Sequence, residues 1–146
     1  MDYQQFVFNT QTDVKRYRFP HSTNLLILDR AEAATSEAFL VVLEPDEKPP
    51  LHQHDDMEQV MYILQGNGML YLGQVEPEFY PIQPTQLVRI PPKTWHVIHS
   101  DGQDRLTYLC VSCFVNGRPA AEPTWDEHVR VLCQKSGLDF ASIRDE

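Results

Sequence analysis

The two most informative stretches of the chain read HQHDDMEQ, at residues 52–59, and PPKTWH, at residues 91–96. In an extended strand alternate side chains point to the same face, so His52 and His54 present two imidazoles on one side. Strand pairing would bring His96 alongside them. Three imidazoles and one oxygen ligand form a set that suits a divalent transition metal, and the stretches therefore predict a metal site.

The oxygen ligand has two adjacent candidates, Glu58 and Gln59. Neighbouring residues on a regular strand face opposite sides, so only one of the two reaches the metal position. A carboxylate would remove one unit of the ion's charge and favour an oxygen-activating iron site. A neutral amide would leave that charge for an anionic substrate and favour Lewis-acid chemistry.

Around these stretches, short apolar segments alternate with turn residues, and helical periodicity is almost absent before residue 124. Prolines and glycines occupy the separators and mark them as turns. Many short strands in a chain of 146 residues predict an all-β domain, either a jelly-roll sandwich or a small barrel. The predicted strands are residues 5–9, 24–29, 38–44, 50–54, 59–64, 69–73, 86–90, 96–99 and 105–115.

The pattern changes after residue 116. Thr124 and Glu127 form a capping box, and Gly137 is a suitable helix stop. We predict a short C-terminal helix that packs on the outside of the barrel or across a dimer contact. Its apolar face is formed by residues at helical spacing, namely Trp125, Val129, Leu132 and Cys133.

The chain is long enough for one domain with a hydrophobic core, and it divides into three segments. Residues 1–37 contain N-terminal strands and a candidate dimer arm. Residues 38–116 form the barrel core with both metal motifs, and residues 117–146 form the helical tail.

The charge balance indicates the class of partner. Twelve basic against 21 acidic residues give a net charge of −9, which repels phosphate backbones and argues against nucleic-acid binding. The apolar runs are strand-sized and the N-terminus carries no basic leader, so we expect a cytoplasmic protein with a small-molecule substrate and no membrane contact. Cys110 and Cys113 should face opposite sides of one strand, and Cys133 should pack on the helix, so none is expected to bind metal.

Residues 52–68, HQHDDMEQVMYILQGNG, resemble the first motif of the cupins, and residues 82–96, IQPTQLVRIPPKTWH, resemble the second. The resemblance covers residues 38–115 and implies a double-stranded β-helix, a jelly-roll barrel that holds a metal inside. It implies that the metal ligands are His52, His54 and His96.

The resemblance also bears on the fourth ligand. The family pattern places a glutamate seven residues before the motif glycine, and counting back from Gly66 gives Gln59. We therefore favour Gln59, whereas a bulge at residues 55–57 would bring Glu58 inward instead. The family commonly has glycine where this chain has Thr85 and Lys93.

For function, the resemblance implies a metal-dependent enzyme acting on a small organic substrate, anionic and sugar-derived or a keto acid. A dioxygenase, an isomerase or epimerase, and a lyase all stay open, with Fe, Mn, Ni or Zn as the ion. The alternative is a non-catalytic module that binds metal and a small ligand. The resemblance also implies a homodimer, and Arg89 is either an anchor for a substrate carboxylate or a residue of the dimer surface.

Overall fold

The computed structural model describes residues 6–145, which form ten β-strands and two α-helices. None of these helices is long and apolar enough to cross a lipid bilayer. The strands are β1 (Lys15–Phe19), β2 (Ser22–Leu28), β3 (Ser36–Leu43), β4 (Met57–Gln65), β5 (Gly68–Leu72), β6 (Glu78–Ile82), β7 (Leu87–Ile90), β8 (His96–Ser100), β9 (Leu106–Phe114) and β10 (Arg144–Asp145). The helices are α1 (Trp125–Ser136) and α2 (Phe140–Ile143).

The strands form two antiparallel sheets. The larger has seven strands in the order β10-β1-β2-β3-β9-β4-β7, and the smaller has three in the order β6-β5-β8. An isolated antiparallel bridge between His52 and His96 adds the segment before β4 to the free edge of β8. The all-β jelly roll with a C-terminal helix is therefore confirmed.

The inner face of the larger sheet changes character along its strands. Residues opposite one another on β3, β9 and β4 form rows across the face because the strands pair in regular register. At one end the rows are apolar, with Leu43 opposite Leu106 and Ile63 opposite Tyr108. At the other end Ser112 lies between two buried polar residues on its neighbouring strands. The fold therefore places buried polar chemistry at one end of the barrel only.

Seven of the nine predicted strands overlap observed ones, and two do not. Within residues 5–9, residue 5 lies outside the described part of the chain, and residues 6–9 form no strand. Segment 50–54 contributes only the bridge at His52, in part because Pro49 and Pro50 have no backbone N–H to donate. The sequence pattern did not predict β1, β6 or β10. Strand β1 contains three basic residues, which obscure the apolar alternation. Strand β6 contains Pro81, which argues against a strand but is tolerated at a sheet edge.

Helix α1 begins and ends where the capping residues predict. The Thr124 hydroxyl accepts from the Glu127 N–H at 3.1 Å, and Gly137 adopts a left-handed φ of 69°. The helix packs against the inner face of the larger sheet, where the Trp125 ring lies 4.7 Å from Phe39 and 6.2 Å from Tyr17. The expectation that it covers the outside of the barrel was wrong, because its apolar face covers the part of the inner face that the smaller sheet leaves open.

Four non-glycine residues of the described chain have a positive φ, namely Asp46, Glu76, Thr85 and Lys93, and the last two lie in turns within residues 82–96. Thr85 has a φ of 73° and Lys93 a φ of 63°, at the positions where the cupin pattern commonly has glycine. Such a conformation is strained for any residue with a Cβ, and most strained for a β-branched one. The Lys93 N–H donates to the His54 carbonyl at 2.7 Å, so this turn also fixes the backbone of the histidine stretch.

Replacing Thr85 with glycine should stabilise the protein. The release of the strain exceeds the extra backbone entropy that glycine loses on folding, so we expect the free energy of unfolding to rise by about 1 kcal/mol in urea denaturation. The matched control is Thr12→Gly, at an exposed turn residue without a positive φ, which should lower it. A loss of stability in Thr85→Gly would contradict the strain at this turn.

Candidate metal centre

Three histidine side chains from the two stretches meet in space. Ring centroids of His52 and His96 are 4.4 Å apart, those of His52 and His54 are 5.0 Å apart, and those of His54 and His96 are 5.6 Å apart. One ring nitrogen of each residue lies within 4.8 Å of the other two. Nitrogen ligands about 2.1 Å from a common ion are separated by about 3–4 Å, so small rotations would gather these donors around one ion.

The backbone holds the two stretches together at this point. The His52 N–H donates to the His96 carbonyl at 3.1 Å, and the His96 N–H donates back to the His52 carbonyl at 2.8 Å. Because this is a bridge between directly opposed residues, their side chains lie on the same face. Pairing of the two stretches, as expected from the sequence, is what places His96 beside the other two imidazoles.

Hydrogen bonds to the backbone select the ring tautomers. His52 Nδ1 lies 3.1 Å from the Pro50 carbonyl oxygen, and His96 Nδ1 lies 2.8 Å from the Thr94 carbonyl oxygen. A carbonyl oxygen only accepts, so each Nδ1 carries the proton and each Nε2 keeps a lone pair in the neutral ring. Metal-ligating histidines commonly have this arrangement, in which the non-ligating nitrogen donates to a carbonyl.

Burial keeps the imidazoles neutral. The pKa is lowered to about 3 for His54 and to about 4 for His96, and it is lowered for His52 as well, with loss of solvation as the largest cause in each case. The neighbouring imidazoles contribute to the lowered pKa values of His54 and His96, since a charge on one ring disfavours a charge on another. At neutral pH the cluster therefore offers lone pairs, which is the state that metal binding requires.

The two candidates for the oxygen ligand lie on opposite faces of β4. Gln59 is buried, with 6% of its surface exposed, and its Oε1 lies 3.2 Å from His96 Nε2. Glu58 faces outward, where its Oε2 lies 2.8 Å from Arg89 Nη2. The structure thus brings Gln59 to the three histidines and leaves Glu58 on the other face, paired with an exposed arginine.

The contact between Gln59 and His96 bears on the fit of a cation. Both atoms are acceptors when the His96 ring proton is on Nδ1, so two lone pairs face each other at 3.2 Å. A positive ion beside them would turn this unfavourable contact into a favourable one. Neutral imidazole nitrogens and an amide oxygen suit a divalent transition metal, and the His52, His54 and His96 cluster fits such an ion.

Other polar residues near the two stretches do not join the cluster. Arg89 is exposed and pairs with Glu58 on the outer face, so it does not reach the histidine cluster. His99, three residues beyond His96, lies 3.0 Å from the Pro49 carbonyl oxygen through Nε2 and packs on the Tyr71 ring. Cys110 is buried and Cys113 is exposed, so the two thiols lie on opposite faces of β9 as predicted.

The sequence interpretation missed four polar residues near the site. Arg30 and Glu37 form a buried ion pair with Nε to Oε1 at 2.7 Å, and Ser112 lies beside Glu37 in the inner row. His128 on α1 pairs with Glu122 at 2.8 Å. Positive charge on Arg30 or His128 disfavours a charge on His54 and contributes to its lowered pKa. Strict alternation along β3 and β9 could have identified Glu37 and Ser112 as inward residues, but it carries no information about Arg30 or His128.

The model of the cupin domain family matches residues 39–112, which is half of the chain and includes both histidine stretches. The protein is a cupin. Among curated relatives, the uncharacterized protein MJ1618 of Methanocaldococcus jannaschii is 37% identical over 65 residues, 44% of this chain and 50% of that protein. Auxin-binding protein 1 of Arabidopsis thaliana is 28% identical over 81 residues, 51% of the cupin chain and 40% of that protein. The matched segments thus cover half or less of these relatives.

Solved structures share the fold at low sequence identity. A predicted oxalate decarboxylase from Thermotoga maritima superposes with a TM-score of 0.65 at 18% identity, covering 75% of the cupin chain and 99% of that chain. The iron(II) form of HppE superposes with a TM-score of 0.56 at 12% identity, covering 63% of the cupin chain and 50% of that chain. Cupins related in fold therefore include metal-dependent enzymes.

The lowered histidine pKa values make the metal-free protein sensitive to acid. In the folded state these pKa values lie below the 6.5 of an unperturbed histidine, so the unfolded chain binds more protons as the pH falls. We expect their contribution to stability to be present above about pH 6.5 and to be lost towards about pH 4. Urea unfolding of EDTA-treated protein at about pH 7 and about pH 5 measures this loss.

Two variants separate this effect from general acid denaturation. His54→Asn should weaken the pH dependence, because one imidazole with a lowered pKa is removed. His21→Asn, at an exposed histidine, should leave it as in the wild type. Equal pH dependence of the free energy of unfolding in the wild type and in His54→Asn would contradict the assignment of the acid sensitivity to the histidine cluster.

Proposed function

We propose that this cupin is a metal-dependent enzyme that acts on a small anionic organic molecule. Its divalent transition ion, Fe, Mn, Ni or Zn, would be held by His52, His54 and His96 together with the Gln59 oxygen. The observation that carries the proposal is the convergence of three neutral imidazoles, each with a nitrogen within 4.8 Å of the others, at the polar end of the barrel.

The charge of the ligand set supports an anionic substrate. Three neutral imidazoles and a neutral amide would leave both positive charges of the ion uncompensated, so a substrate carboxylate or enolate would be favoured as a further ligand. When bound, the ion would supply Lewis-acid polarisation of a substrate carbonyl or carboxylate. This chemistry favours an isomerase, an epimerase or a lyase acting on a keto acid or a sugar-derived acid over a dioxygenase.

The remaining residues of the inner face define the rest of the site. Met61 and Ile63 follow Gln59 on the inner face of β4 and are almost fully buried, and on β7 Ile90 lies opposite Gln59 and Val88 opposite Met61. These apolar side chains exclude water from the interior side of the histidines, which strengthens every electrostatic interaction there. The two backbone carbonyls that accept from His52 and His96 hold the imidazoles in the ligating tautomer.

A non-catalytic binding module is the second candidate. The similarity to a protein named for auxin binding supports it, since that protein's name describes recognition of a small molecule rather than turnover. A neutral ligand set supports it as well, because a metal can recognise an anion by charge alone. Both candidates use the same metal centre and the same class of ligand.

Metal binding tests the ligand set. Dialysis against Fe, Mn, Ni or Zn followed by metal analysis of untagged protein should show about one ion per chain, and bound metal should raise the melting temperature. His96→Ala should lower the affinity by about 100-fold or more and Gln59→Ala by about 10-fold, because each removes a ligand. Glu58→Ala is the discriminating control and should leave the affinity unchanged.

Two outcomes would count against this ligand set. Loss of affinity in Glu58→Ala with none in Gln59→Ala would assign the oxygen ligand to Glu58. Absence of bound metal in the wild type with each of the four ions would remove the metal centre itself. Turnover of keto acids and sugar-derived acids by the metal-loaded protein then separates an enzyme from a binding module, for which tight binding without turnover is expected.

We further propose that the protein forms a homodimer through the outer face of the larger sheet. Apolar side chains in register cross five strands of that face: Leu25, Leu40, Leu109, Tyr62 and Leu87. Leu87 is 63% exposed and Tyr62 is 40% exposed. A continuous apolar row of this length is unusual on the exposed surface of a monomeric protein. Glu58 and Arg89 on the same face carry opposite charges, so a twofold contact could pair each with its counterpart.

Charge placed in this row should dissociate the dimer. Leu87→Glu buries a carboxylate in the proposed contact and should convert the protein to a monomer in analytical ultracentrifugation. Val75→Glu is the matched control, because Val75 is 84% exposed in the turn between β5 and β6, away from the row. A monomeric wild type, or a Leu87→Glu variant that stays dimeric, would contradict the proposal.

A further inference from the structure

A row of buried polar side chains leads from the ion pair to the histidine cluster. Glu37 on β3 and Gln59 on β4 are each directly opposite Ser112 on the central strand β9. Ser112 is fully buried, and Glu37 and Gln59 are 1% and 6% exposed. Arg30 donates to Glu37 at one end of the row, and Gln59 meets His96 at the other.

The charge of Arg30 sets the direction of the hydrogen bonds. A guanidinium is always protonated, and here its Nε lies 2.7 Å from Glu37 Oε1 while its Nη1 donates to the Glu122 carbonyl at 3.1 Å. The ring of Phe114 covers the guanidinium at 4.9 Å. Burial raises the pKa of Glu37, whereas the adjacent guanidinium lowers it and favours the ionised carboxylate, which can only accept hydrogen bonds.

Ser112 has one proton to donate, and Glu37 is the stronger acceptor for it. The hydroxyl lies beside the Glu37 carboxylate, which is directly opposite it on β3, and its interactions with Glu37 and with the Cys110 thiol act to lower the pKa of each group. A charged acceptor forms a stronger hydrogen bond than a neutral thiol, so the proton is directed to Glu37. The Ser112 oxygen is then left as an acceptor for its other neighbour, Gln59.

This direction removes the ambiguity of the Gln59 amide. With Nε2 donating to Ser112 Oγ at 3.1 Å, the amide oxygen points to His96. The reverse orientation would place Oε1 against the Ser112 oxygen, whose proton is directed to Glu37, and would turn the amide N–H toward the His96 Nε2 lone pair that a metal needs. The observed orientation instead presents the amide oxygen, so that Gln59 Oε1 and His96 Nε2 can both bind one cation.

We propose that Ser112 and Glu37 are positioning residues that hold the Gln59 amide oxygen toward the metal position. The inference rests on the proposed function, because it assigns the orientation of one ligand of that metal centre. It also explains how a neutral amide acts as an oxygen ligand here: the buried charge of Glu37, two residues away along the row, determines which amide atom the ion meets.

Cobalt binding tests the proposal. Co²⁺ reports both affinity and, through its visible absorption bands, the nature of its ligands. Ser112→Ala leaves the amide free to rotate and should weaken Co²⁺ binding about 10-fold with shifted bands, because supporting residues of this kind typically contribute 10- to 100-fold. Ser112→Thr keeps the hydroxyl and should restore both the affinity and the spectrum of the wild type.

A double-mutant cycle separates positioning from a structural role. In the Gln59→Ala background, Ser112→Ala should have no further effect, because the side chain that it orients is gone. Ser100→Ala is the matched control: Ser100 is a buried strand serine whose hydroxyl bonds to the Asp104 carbonyl outside the row, and its loss should leave Co²⁺ binding unchanged.

The outcomes distinguish this proposal from the proposed function. Wild-type affinity in Ser112→Ala, or an equal loss of affinity in the presence and absence of Gln59, would overturn the positioning role while leaving the metal centre intact. Absence of Co²⁺ binding by the wild type would overturn both. Thermal unfolding of each metal-free variant shows that the compared proteins are folded.

Discussion

The backbone bridge between His52 and His96 is the constraint on which the site depends. Two hydrogen bonds, at 3.1 and 2.8 Å, hold together residues that are 44 positions apart in sequence. The bridge extends the smaller sheet by one short segment and sets the side on which both imidazoles lie. The strained turn at Lys93 belongs to the same arrangement, since its N–H donates to the His54 carbonyl and closes the loop over the site.

The polar end of the barrel is stable only as a connected set. Buried polar groups are costly unless they are hydrogen-bonded, and a buried charge is more costly still. The inner row meets this requirement in large part, because Arg30 Nε donates to Glu37 and Gln59 Nε2 donates to Ser112, whereas Arg30 Nη2 is buried without a hydrogen-bond partner among the described residues. At the end of the row, Gln59 Oε1 faces His96 Nε2. Both atoms are acceptors, so their contact becomes favourable only beside a cation. Stability and ligand binding are therefore coupled in this region.

Much of the fold was predictable because the strands are short, alternating and separated by prolines and glycines. The capping box at Thr124 and the stop at Gly137 located α1 for local reasons, since both act within one helical turn. The position of α1 was not predictable, because its apolar face fits any apolar surface and only the sheet order leaves the inner face beside Phe39 uncovered. Strand β6 was missed because Pro81 is acceptable only at an edge, and edge position is a property of the assembled sheet.

The sequence by itself determined which three histidines form the cluster, how they are spaced and which class of barrel holds them. Alternation along a strand is a local rule, and the motif spacing can be counted directly in the sequence. The tertiary structure decided which of two neighbouring residues faces the histidines. Gln59 lies inside because β4 pairs with β9 in the register that sets it opposite Ser112, whereas Glu58 meets Arg89 outside. The contribution of Arg30 and Glu37 was equally a matter of tertiary structure, since the pairing of β3 with β9 and of β9 with β4 brings the buried ion pair to within two positions of Gln59.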